Sequence, residues 1–147
     1  MPALLLAALL VKPIGEVPRL VGHGKPVVLH FWATWCEACR DEFPALRSRL
    51  LKLPSRGVAV ELISIDAPAD GERAEQMLAG YGLAPLPALL LDAPDPAPVA
   101  AAVGDKKWDG TLPATFVFDA RGKLVRSFLG RIGRRAELDA AVRSASR

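Results

Sequence analysis

Cysteine is nearly absent from this chain of 147 residues: Cys36 and Cys39 are its only two. A pair set that close leaves no thiol for stapling distant segments, so stability has to come from an apolar core, and the reduced chain is expected to stay folded. Histidine is as scarce, with only His23 and His30. Zinc usually takes four ligands, which this supply does not favour. No apolar stretch approaches the ~20 residues that span a bilayer as a helix. The run Ala3 to Val11 has nine residues. It matches the apolar part of a secretory signal, about 7 to 15 residues, but lacks a basic stretch before it and a small-x-small cleavage site after it. A buried first element of the domain is the other reading, and membrane anchoring is not evident. Aromatic residues make up 6% of the chain, and the arginines near its end, from Arg126 to Arg147, carry no aromatic ladder on which bases stack. The net charge of +3, from 19 basic and 16 acidic residues, is spread along the chain. A nucleic-acid partner is not expected.

What remains is a chain that is 51% hydrophobic, of single-domain length, with no internal repeat or low-complexity tract. Residues 1–22 read as an apolar lead and 23–147 as one domain. Its most informative stretch is Phe31-Trp32-Ala33-Thr34-Trp35-Cys36-Glu37-Ala38-Cys39, which follows an apolar strand-like run. A helix beginning at Cys36 puts the two cysteines on one face, with Cβ atoms roughly 5 to 6 Å apart. A disulfide closes across such a gap. Cys36 then meets the unpaired N–H groups and positive dipole end of the helix, which favour its thiolate and make it the nucleophile. Cys39, one turn inward, is placed to resolve a mixed disulfide on Cys36. A zinc half-site and an inert packing pair are the competing readings.

The rest of the pattern alternates strands and helices. Val27 to Ala33 is a continuous apolar run, as in a strand buried on both faces. Phe43, Leu46, Leu50 and Leu53 have helical spacing, with Pro44 expected to kink the helix and Pro54-Ser55-Arg56-Gly57 to stop it. Val58 to Ile65 reads as a second strand, parallel to the first, and residues 72–81 as an amphipathic helix. Leu86 to Leu91 suits a short strand, Asp92 to Pro98 a loop and Val99 to Val103 a short helix. Phe116–Asp119 and Lys123–Leu129 form a hairpin around a three-residue loop, and Leu138, Ala141, Val142 and Ala145 mark a closing helix.

The run Val27 to Pro44 with its Cys-Glu-Ala-Cys core, and the downstream run Gly110-Thr111-Leu112-Pro113-Ala114-Thr115-Phe116, resemble the thioredoxin-like family and its extracytoplasmic TlpA/ResA-type branch. The similarity covers about residues 25–145. It implies an α/β thioredoxin-like fold: a central mixed β-sheet flanked by helices, with a helical insertion near 67–105, before the strand that follows a cis-proline. That proline is Pro113, and the resemblance implies that Thr111, Leu112 and Pro113 bind an extended substrate opposite the cysteines, with Trp35 supplying an apolar contact surface. Glu42 matches an acidic position near the active site of ResA-like relatives, where it could exchange protons with Cys39; a solvated helix carboxylate is the plainer reading. Glu37 and Ala38, between the cysteines, tune the pair, and Ala38 stands where many relatives have proline. His30 occupies the place of a buried aspartate in thioredoxin proper, and is either a core histidine or a proton relay beneath Cys39.

The resemblance implies a thiol-disulfide oxidoreductase acting on protein substrates, more as a reductant than as a disulfide donor. A dithiol protein would supply electrons, with no dissociable cofactor and no metal. A monomer in the periplasm, in roles such as cytochrome c biogenesis, is the family expectation. The alternatives are a Cu(I)-binding delivery module built on the same thiolates, and an oxidant.

Overall fold

The computed structural model describes residues 8–147. Six strands form one mixed sheet: β1 (Val11–Pro13), β2 (Val27–Trp32), β3 (Ala59–Ser64), β4 (Ala88–Asp92), β5 (Ala114–Phe118) and β6 (Leu124–Leu129), in the order β1-β4-β3-β2-β5-β6. The first four in that order run parallel; β5 is antiparallel to β2, and β6 to β5. The helices are α1 (Glu37–Lys52), α2 (Gly71–Gly80), α3 (Pro96–Val103) and α4 (Arg135–Ala145). This is the architecture expected from the strand-helix-strand pattern, since parallel neighbours need crossover connections.

Every residue of β2 is buried, and its side chains alternate between two cores. Val28 and Trp32 join Phe43, Leu46 and Leu50 of α1, Ala74 and Leu78 of α2 and Leu138 of α4 on one face. Leu29 and Phe31 join Val99 and Val103 of α3, Trp108 and Phe116 on the other. The unbroken apolar run of β2 follows from this central position.

Three features refine the sequence reading. Within the lead, β1 is an edge strand of the sheet, a 3₁₀ segment (Ile14–Leu20) buries Val17, and Leu9 is buried in the larger core. Residues 3–7 of the apolar run lie outside the described residues. Second, the stretch read as a loop over 92–98 already turns helical at Pro96. The Asp95 carboxylate accepts the Ala97 N–H at 3.0 Å, and a proline at the first helical position gives up only an N–H that has no partner there. Third, α1 starts at Glu37 with Cys36 as its N-cap, and it continues through Pro44 to Lys52.

The connections leaving β2 and β3, and the one entering β5, meet at one end of the sheet. Trp32 pairs with Ser64, and Phe31 with Ala114, so Pro113 falls opposite Trp32. The chain after β4, from Ala93 onward, leaves the sheet at this same end because Ser64 also pairs with Leu90.

Candidate active site

Cys36 and Cys39 form a disulfide with a Cα–Cα separation of 5.3 Å. The Cys39 N–H donates to Cys36 Sγ at 3.1 Å, so the sulfur serves as the side-chain cap of α1. Cys36 is 7% exposed and Cys39 fully buried. Trp35 beside them is 64% exposed, an unusual setting for so large an apolar surface. Glu37 is also exposed, whereas Ala38 packs against the core.

The loop delivering Cys36 is fastened by Asp66, which the sequence reading did not single out. Asp66 is buried just after β3, and its carboxylate accepts the Thr34 N–H at 3.0 and 3.1 Å, the Thr34 hydroxyl at 2.6 Å and the Ser64 hydroxyl at 2.6 Å. The Cys36 N–H in turn donates to the Ala33 carbonyl at 3.1 Å. An apolar strand ending in Ser64-Ile65-Asp66, parallel to the one that leads to the cysteines, was the available signal.

Glu42 is one turn beyond Cys39 and is buried, which removes the solvated-carboxylate reading. Its Oε2 accepts the Ile132 N–H at 2.6 Å while Oε1 has no partner among the described residues. Burial raises its pKa, against the opposing effects of that N–H and of the Arg131 charge. Arg131 itself pairs with Asp41 at 3.3 Å. His30 is fully buried; its Nδ1 bonds Thr115 Oγ1 at 2.8 Å and Nε2 has no partner among the described residues. Burial pushes its pKa down to about 4. Its ring lies 5.8 Å from that of Phe43, which shares the Cys39 face of α1 at i+4.

The Leu112–Pro113 bond is cis. The Pro113 carbonyl accepts the Gly130 N–H at 2.8 Å. Leu112 is half-buried and Thr111 exposed, its N–H and hydroxyl both donating to Asp109. The register of β2 against β5 puts these three residues at the end of the sheet where the cysteines sit. Among the described residues, no cluster of three or more His, Cys, Asp and Glu side chains is arranged to hold a metal ion.

A mixed sheet whose central parallel strand feeds a Cys-x-x-Cys helix start, with a cis-proline opening the antiparallel strand beside it, is the thioredoxin-like fold. The chain belongs to the AhpC/TSA family, whose model matches residues 17–127. It is 32% identical over 111 residues to "Thiol-disulfide oxidoreductase ResA" of Bacillus thuringiensis (strain Al Hakam), covering 73% of this chain and 56% of that one. The protein of the same name from Bacillus subtilis (strain 168) is 31% identical over 113 residues, covering 73% and 54%. The chain thus spans about half the length of these curated relatives. Among solved structures, a thiol:disulfide interchange protein of the thioredoxin family from Chlorobium tepidum TLS superimposes with a TM-score of 0.64 at 25% identity, over 84% of this chain and 81% of that one.

Proposed function

We propose that the protein is a thiol-disulfide oxidoreductase that reduces disulfides in other proteins. The observation that carries this reading is the placement of Cys36 at the N-cap of α1, its sulfur bonded to a fully buried Cys39. In the reduced pair the Cys36 thiolate attacks a substrate disulfide, forming a mixed disulfide and releasing one substrate thiolate. Cys39 then loses its proton and attacks the Cys36 sulfur, which closes the internal disulfide and releases the second thiolate. Two electrons have passed to the substrate, and a dithiol donor protein returns them, with no dissociable cofactor. Trp35 offers an apolar surface to the substrate, while Thr111, Leu112 and Pro113 supply backbone for an extended segment.

Glu42 suits the proton step at Cys39. Burial makes its carboxylate more basic, so Oε1 can take the proton that Cys39 gives up. His30 is a second acceptor, neutral above about 4 with an unbonded Nε2. Glu37 and Ala38 tune the pair from between the cysteines. Replacing His30 with Ala and following the pH dependence of thiol alkylation separates relay from packing; an unchanged profile takes His30 out of the mechanism. The kinship with ResA proteins supports an extracytoplasmic, periplasmic setting, which accessibility of the reduced thiols to a membrane-impermeant alkylator on intact cells would check.

The deciding experiment poises the protein in defined thiol-disulfide buffers and reads the reduced fraction. A potential near about −270 mV supports a reductant, and one near about −120 mV makes it a disulfide donor. Failure to find any reversible couple overturns the redox reading.

A further inference from the structure

Positive charge that is spread along the sequence is gathered by the fold at the end of the sheet away from the cysteines. The strand register defines that end. Val27, at the start of β2, pairs with Ala59 at the start of β3 and with Phe118 at the close of β5, and Phe118 pairs with Leu124 at the start of β6. Each connection meeting there brings a cation. Lys25 precedes β2, Lys52 ends α1 with Arg56 just beyond it, and Arg121 and Lys123 lie in the β5–β6 turn. Arg143, near the end of α4, joins them across a cleft that it lines together with Leu53, Arg56 and Val142. Backbone bonds hold the connections in one face: the Gly24 N–H donates to the Ala120 carbonyl at 3.1 Å, and the Ala59 N–H to the Pro26 carbonyl at 2.9 Å.

All six basic residues are exposed, and none is in an ion pair among the described residues. The nearby acids are committed elsewhere. Asp119 accepts the Arg121 and Lys123 N–H groups, both at 2.9 Å, and Asp139 pairs with Arg49 at 3.2 Å. Glu61, the third residue of β3, keeps its proton to about 7. The net charge of the whole chain is only +3, so the molecule is electrically polar rather than merely basic. At the cysteine end the signs are mixed, with Glu37, Asp41 and Asp92 exposed among Arg131, Arg134 and Arg135. Lys52 and Arg143 also suit the negative ends of their helices. Lys25, Arg121 and Lys123 sit in no helix, so no dipole accounts for them.

The chemistry of the face narrows its partner. The large apolar side chains exposed among the described residues are Leu10, Val11, Trp35 and Leu129, and none lies at this end. A protein interface draws its affinity from such anchors, and a single-stranded nucleic acid stacks on aromatic rings. Cations on flexible stems, spread over several connections and a helix end, suit instead a broad plane of negative charge. Each one strengthens attachment to an anionic bilayer about fivefold.

We propose that this end of the molecule docks on an anionic phospholipid surface, leaving the opposite end, with Cys36, turned toward soluble partners. The contact does not depend on the exchange reaction. The test cosediments the full chain with phosphatidylcholine vesicles that contain or lack about 30% phosphatidylglycerol. Binding should require the anionic lipid and be lost at about 0.5 M salt, where charges are screened within about 4 Å. Lys52→Gln, Arg56→Gln and Arg143→Gln combined should weaken it about a hundredfold. The same charge removed from the other end, by Arg73→Gln, Arg134→Gln and Arg135→Gln, should weaken it far less. In the reduced protein a soluble maleimide should alkylate Cys36 as fast on the vesicles as off them. Equal binding to neutral vesicles, equal loss in the two triple variants, or protection of Cys36 on the vesicles would overturn the proposal. So would a face that holds duplex DNA or polyglutamate and not the vesicles, since its partner would then be a nucleic acid or an acidic protein.

Discussion

His30 and Glu42 are ionisable groups buried in the same region, and each leaves a distinct mark on stability against pH. An unfolded imidazole takes up its proton below about 6.5, whereas the folded His30 waits until about 4. Between those values the unfolded chain holds more protons, so stability rises with pH across this window, by at most about 3 kcal/mol. Urea titrations of the parent and of His30→Gln from pH 4 to 6.5 should show that contribution disappear in the variant. Glu42 has the opposite sign. Its raised folded pKa keeps the proton on in the native state, so stability falls as pH climbs above the ordinary carboxylate value of 4.5. Glu42→Gln keeps an acceptor for the Ile132 N–H and should match the parent in acid and exceed its stability at neutral pH. The same substitution should slow resolution of a mixed disulfide on Cys36 about a hundredfold, the low end of general acid–base contributions, read by quenched-flow alkylation.

At the level of elements, the loop before α1 depends on β3. Asp66→Ala strands the Thr34 N–H, the Thr34 hydroxyl and the Ser64 hydroxyl in a buried site. The expected cost is about 2 to 4 kcal/mol, seen as a lower denaturation midpoint, together with slower exchange at Cys36. Elsewhere β3 carries Glu61, whose pKa is raised to about 7 by burial and then by the Glu16 charge of the 3₁₀ segment. The unfolded chain gives up this proton near 4.5 and the folded chain only near 7, so stability falls as pH rises through that window. Glu61→Gln should therefore gain about 1 to 3 kcal/mol at pH 8 and little at pH 4.

These two devices also show where the sequence could be read and where it could not. The cysteine pair, β2 and α1 are local patterns, and each was evident from residues within a turn or two of one another. Asp66 binds a residue 32 positions away, and His30 one that is 85 away. No local periodicity reports such pairings. The start of α3 was hidden because its prolines resemble loop punctuation until Asp95 is seen capping the helix. β1 has only three residues and ends in Pro13, so its strand character exists only through pairing with β4.

For the whole molecule, the disulfide spans only three positions, and the chain-entropy model assigns about 2 kcal/mol to closing so small a ring. Two cores, one on each face of the sheet, hold the fold independently of it. Reduction should leave the circular dichroism spectrum native and lower Tm by no more than about 8 °C for a domain of this size, as scanning with and without a phosphine reductant would show. The position of β1 has a different consequence, one of sociability. Short and closed by a proline, β1 caps the row of backbone groups along β4, whose Leu89, Leu90 and Leu91 are buried. A chain shortened to begin at Ile14 would bare that row as a ready template for a second copy. Its expected defect is self-association, visible as added mass in light scattering while the cysteines still exchange.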